Sequence, residues 1–166
     1  MRITPKIADR GIHAAIYLVL ALLVVWTGGK AINYAKDFGF YRDFLMPWEV
    51  RLLEMQHRSI PMPAFKRDQP MAHMEAVVNL MKRNGMPLPQ SNTQHTFVYR
   101  LRRFGGESSM ILLVFDGRRI VVYGLPAATC QRLDRFVDGR ADMRGGDFTG
   151  RLSRDQSTFI GSWNFY

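Results

Sequence analysis

Cys130, the only cysteine, stands in the stretch YGLPAATCQRLDRF at residues 123–136. A thiol attacks as its thiolate, and the first turns of a helix, where the dipole favours negative charge, would promote that form. Nucleophilic work also needs a neighbouring base and a partly exposed, electropositive setting. The spacing instead puts Cys130 with Leu133 and Val137 on one helical face, which predicts an inward, structural cysteine. The histidines His13, His57, His73 and His95 lack metal-ligand spacing. Asp138, Asp142 and Asp147 lie among glycines in DGRADMRGGDFTG, as calcium ligands do. Arg140 and Arg144 interleave with them, however, and the EF-hand order is missing. No H-E-x-x-H, C-x-x-C, G-x-S-x-G or Walker A pattern occurs. These readings predict a non-enzymatic protein with no catalytic residue, no metal site and no cofactor.

The charge is +9, with an isoelectric point of about 10.2. It divides as +3 over residues 1–44 and +6 over the rest, without a run of five like charges. That distribution argues against a disordered tail for nucleic acid. Phe97 and Tyr99 share the basic stretch TFVYRLRRF with three arginines, but without a nucleic-acid motif it reads as a strand. The basic surface suits an acidic protein partner, a cell-wall polymer or lipid headgroups. A single cysteine cannot close an internal disulfide and leaves the redox compartment open.

The apolar run IHAAIYLVLALLVVWTG at residues 12–28 carries no residue charged at neutral pH. About seventeen to twenty helical residues reach across a bilayer core. The run predicts an uncleaved transmembrane helix, with Ile16, Leu20, Leu23 and Trp26 in the span and Lys30 snorkelling at its end. Lys and Arg are balanced across the span, so the charge rule does not orient it. The short segment before it and the free amine favour a cytoplasmic N-terminus and a periplasmic or extracellular C-terminal part. Aromatic residues crowd residues 26–48. They fit either a membrane interface or a docking surface for the soluble part. Gly28, Gly29 and Gly39 weaken the helix, and Pro47 is expected to break it and begin another over residues 48–57.

Residues 66–166 predict an α+β head of helices packed on an antiparallel sheet. Asp68 is the expected cap, with Pro70 in the first turn, of a helix over residues 68–84. Its apolar face holds Met71, Met74, Val77, Val78 and Met81, and Gly85 ends it. Strands are expected at residues 96–104 and on both sides of Asp116-Gly117, a strong hairpin signal. A helix led by Pro126 follows, then an irregular Gly-rich stretch at 139–150. A final strand alternates Phe159, Gly161, Trp163 and Phe165. The expected divisions are a basic N-terminal segment at 1–11, a membrane and juxtamembrane helix at 12–46, a linker with a short helix at 47–65, and the head at 66–166. The structural core is expected to include Met74, Val78, Met81, Cys130, Leu133 and Val137.

In this order of features the chain resembles type IV pilins and pseudopilins, type IVb pilins above all. The leader MRITPKIADRG would end at Gly11, with Ile12 as the new first residue. VVNLMKRNGMPLP is similar to the helix closing on a glycine-then-proline turn of those heads. IVVYGLPAATCQRL is similar to their strand running into a proline-led helix with an early cysteine. The family's glutamate at the fifth mature position is Ile16 here, its long N-terminal helix meets the glycines and Pro47, and its second head cysteine is missing. The resemblance implies a minor pilin-like subunit of a type IV pilus or secretion-type assembly in the inner membrane. Its partners would be lipid, other envelope or pilus proteins, and further copies of itself. A bitopic inner-membrane assembly factor with a small periplasmic domain is the alternative.

Overall fold

The computed structural model describes residues 5–164, with side chains from Ile12 onward. Helix α1 (Pro5–Phe40) leads into a π-helical turn at Tyr41–Leu45 and helix α2 (Met46–His57). The remaining elements are α3 (Pro70–Arg83), β1 (Val98–Leu101), β2 (Ser109–Phe115), β3 (Arg119–Leu125), α4 (Ala127–Asp138), β4 (Phe148–Leu152) and β5 (Phe159–Asn164). The protein is an α+β fold in which helices pack on one antiparallel sheet of order β1-β2-β3-β5-β4.

The helical path through the glycines and Pro47 differs from expectation. Neither Gly28, Gly29 nor Gly39 interrupts α1, and Pro47 lies in the first turn of α2 without ending the helical path. The π turn explains this. The Met46 N–H reaches back to the Tyr41 carbonyl, a wider closure that accommodates proline in a continuing helix. It also sets the face. A regular helix turns about 100° per residue, so Phe40 and Trp48 would drift about 80° apart, and the extra residue in the turn brings them back into line. Phe40, Phe44, Trp48, Leu52 and Met55 are accordingly all fully buried.

The inner face of the sheet carries Tyr99, Ile111, Leu113, Phe115, Ile120, Val122, Phe148 and Trp163, which follow from the pairing register and the alternation of strands. The π turn packs on this face. Phe40 and Phe44 each lie 5.0 Å from the Tyr99 ring, and Tyr41 lies 5.9 Å from Trp163. The Trp48 indole N–H donates to the Thr96 carbonyl at 3.1 Å. Helix α4 covers β4 and β5.

Helix α3 lies against β2. Met74, Val77, Val78 and Met81 are buried, while Met71 is exposed. Asp68 does not cap it: the N-cap residue is Gln69, without a side-chain bond. His73 Nε2 lies 2.7 Å from the Phe115 carbonyl, and because a carbonyl only accepts, this nitrogen carries the proton. The hairpin between β2 and β3 turns on Asp116, whose carboxylate accepts the backbone N–H groups of Arg118 and Arg119, each at 3.1 Å. Beyond Val122 the β3–β5 register shifts. Gly124 sits there at φ +82°, where a Cβ would lie 2.5 Å from the Met110 carbonyl, so glycine is required. Pairing resumes beyond this bulge at Leu125 with Phe159, where β3 ends, and Pro126, as N-cap, starts α4. Strand β4 begins in the last three residues of the stretch expected to be irregular, 139–150, and runs on to Leu152. Phe165 lies outside the described residues.

Candidate functional site

Two places gather polar side chains: the junction between α1 and the head, and a cleft on the opposite sheet face. The junction begins where the bare part of α1 ends. Residues 12–28 are exposed throughout, whereas Gly29 is buried. Gly29 meets the ring of Phe104, since a Cβ on it would stand 2.9 Å from Cδ1. One turn further, Asn33 clasps the backbone of Phe104: its Oδ1 accepts the N–H at 2.8 Å and its Nδ2 donates to the carbonyl at 3.4 Å. A further turn on, Asp37 is 1% exposed.

The Asp37 carboxylate accepts from Arg103 Nη2 at 3.0 and 3.1 Å, from Thr129 Oγ1 at 3.0 Å and from Arg132 Nη1. Arg103 also bonds Thr129 Oγ1. A buried carboxylate is tolerable only with such partners, and here β1's continuation and α4 supply them. Around this cluster Phe136 receives Tyr34, Phe38 and Tyr41 at 5.5, 5.5 and 5.6 Å. The crowded aromatics therefore divide. Phe40, Phe44 and Trp48 enter the core, while Trp26, Tyr34 and Phe38 stay exposed. Lys30 folds back over Trp26, 3.5 Å from the ring centre.

The second place is a cleft of about 660 Å³ lined by Phe65, Arg67, Asp116, Arg119, Val121, Tyr123, Thr149, Gly150, Arg151 and Ser162. Its floor is the sheet face turned away from Tyr99 and Trp163, because Val121, Tyr123, Thr149, Arg151 and Ser162 alternate with inner-face residues. Asp116 is engaged by Arg119 at 2.9 Å. Arginine and hydroxyl groups dominate the lining, so the cleft offers donors to an anionic group.

The remaining candidates serve structure. Cys130 is fully buried, and burial, then Asp134, push its thiol up to about 12. Its sulfur packs on Gly150, where a Cβ would come within 2.6 Å. This close approach replaces nucleophilic exposure with packing. Leu133 is buried beside it, and Val137 is half-buried against the core. Asp138 closes the Gly-rich loop by accepting the N–H groups of Asp147 and Phe148 at 2.9 and 3.1 Å. Asp142 accepts from the Arg144 N–H at 3.3 Å. Among the described residues no three His, Cys, Asp or Glu side chains are placed to hold a metal ion. His57 and His95 are exposed on separate elements, and His73 is tied to β2. Asp134 is buried, and its oxygens make no hydrogen bond of good geometry, with the Asp142 backbone and the Asp138 carboxyl as its nearest polar neighbours. Burial, reinforced by the Asp138 and Asp142 carboxylates, raises its pKa, and the nearby Asp142 backbone opposes this only in part.

Of the residues expected in the span, Ile16, Leu20, Leu23 and Trp26 are all exposed along α1, as is Ile12. Gly11 lies inside α1. Sequence reasoning missed the junction. Its signal was the spacing of Gly29, Asn33, Asp37 and Phe40 at four, four and three residues, hidden because three of the four are not hydrophobic.

Fold and junction together define a class: an α+β head clamped to an N-terminal helix that is long and apolar enough to cross a membrane. No protein-family model matches the chain, and neither the curated proteins nor the solved structures include a significant match.

Proposed function

We propose that the chain is a non-enzymatic, single-pass membrane protein, a pilin-like minor subunit of a type IV pilus or secretion-type envelope assembly. The observation that carries this reading is the helical path. It runs from residue 5 to residue 57, bare over residues 12–28 and clamped to the head from Gly29 onward. An unbroken N-terminal helix is the family trait that the glycines and Pro47 had put at risk. The bare half serves lipid and lateral helix contacts, and the head carries specificity. The arginine-lined cleft gives the head a surface for an acidic partner protein. In this reading Gly11 and Ile12 flank the processing point. The N-terminus is cytoplasmic, and the head is held outside the inner membrane.

Mass analysis of the native N-terminus tests the assignment. A mature protein beginning at Ile12 is expected, and recovery from sheared surface filaments without detergent accompanies it. An intact Met1 would sink the subunit reading. It would leave the second reading, a bitopic inner-membrane assembly factor, which Ile16 favours by standing where pilins keep a glutamate. Co-purification with an inner-membrane complex is then the expected result.

A further inference from the structure

We infer that the loop between β1 and β2 is a second membrane contact, with the Phe104 ring seated between acyl chains and headgroups and Arg102 reaching a lipid phosphate. The inference rests on the membrane-anchor reading above and adds where the head stands relative to the bilayer.

The height of the loop follows from α1. Residues 12–28 alone, at about 1.5 Å per residue, fall short of a hydrocarbon core of about 30 Å. Carried on to Lys30, its first charged residue, the helix from Ile12 reaches about 27 Å, close to that thickness. The core boundary therefore lies at the level of Gly29 and Lys30. Phe104 packs on Gly29, and its backbone is clasped by Asn33. Arg103, the next residue back, is fixed to Asp37. Three successive turns of α1 thus hold the loop alongside the helix, with Phe104 nearest the span.

The chemistry of the loop suits that depth. Phe104 is 49% exposed, so much of its ring lacks a protein partner. Gly105 and Gly106 follow it and are exposed, and they separate the ring from Glu107, the one acidic residue of the loop. Arg102 is exposed beside it. An apolar ring at the boundary with a cation one step outward is the pattern of an interfacial anchor. The same geometry keeps the head from swivelling, because helix and loop enter the interface together.

Site-directed spin labelling tests this on the full chain in vesicles of phosphatidylethanolamine and phosphatidylglycerol. Nitroxides are placed singly at Leu20→Cys, Arg102→Cys, Phe104→Cys and Arg151→Cys. Cys130 is fully buried and stays unlabelled. Collision with oxygen is compared with collision with a water-soluble nickel chelate. The ratio at 104 is expected to exceed that at 151 several-fold and to fall below that at 20, with 102 between 104 and 151. The label at 102 leaves the Phe104 ring in place, so it reports the loop even if the 104 variant loosens it. Labels at 102 and 104 as water-exposed as at 151, with 20 in lipid, would overturn the inference alone. A label at 20 in water would overturn the anchor itself. Dipolar broadening at 104 that fades on dilution with unlabelled protein would assign the ring to a second copy instead and also overturn the inference.

Discussion

At the residue scale, the carboxylate of Asp37 bears the largest electrostatic responsibility. It stands 1% exposed between two guanidinium groups, and its removal would leave both half-buried without their anion. Asp37→Ala is expected to destabilise the head by about 3–5 kcal/mol, as breaking a buried ion pair does. Urea unfolding in detergent micelles, followed by tryptophan fluorescence, measures it. Asp134 behaves oppositely. Its raised pKa means that the folded state holds its proton more tightly than the unfolded chain. This contribution to stability is full below the ordinary aspartate value of 3.8 and is lost as pH rises through the higher folded value. Asp134→Asn should therefore raise Tm at pH 7, with the gain closing as the pH falls toward 3.8. A Tm series across pH reads the trend directly, and a gain independent of pH would sink it.

The elements show how one helix serves two environments. Residues 12–28 of α1 expose a nearly all-apolar surface all round, whereas residues 29–40 bury a single stripe. The stripe continues through the π turn because the added residue corrects the drift of a regular helix. Asn33 is the hinge pin between α1 and the β1–β2 loop, through two bonds to one peptide. Asn33→Ala is expected to cost about 1 kcal/mol, the net value of such bonds at a part-exposed site. Local opening would then rise roughly fivefold. Hydrogen exchange at the Phe104 amide is the measurement, with the amides of β3 as an unaffected reference.

For the whole molecule, the division between bare and clamped helix predicts separable parts. Residues 12–28 contribute nothing to the core, and the described contacts of the head begin at Gly29. A chain beginning at Gly29 should keep the sheet and its Tm within a few degrees of the full protein, and should stay in solution without detergent. Circular dichroism and thermal melts check this. Loss of the fold would mean that the first half of α1 supports the head after all.

Much of this molecule could be read from local pattern. The uncharged run at residues 12–28, the Asp116-Gly117 hairpin, the Met74–Val78–Met81 face and the Cys130–Leu133 face were each legible because period and turn chemistry act over a few residues. The α+β class followed from their order. The sequence did not reveal the continuous helix through Pro47, since the π turn that keeps Phe40 and Trp48 on one buried face is favoured by tertiary packing rather than by local pattern. Nor did it reveal β4, where glycine-rich residues become a strand by pairing with β5. The junction was hidden for the same reason. Asn33, Asp37, Arg103, Thr129 and Arg132 look like solvated residues in sequence, and only tertiary packing removes them from water and makes them satisfy one another.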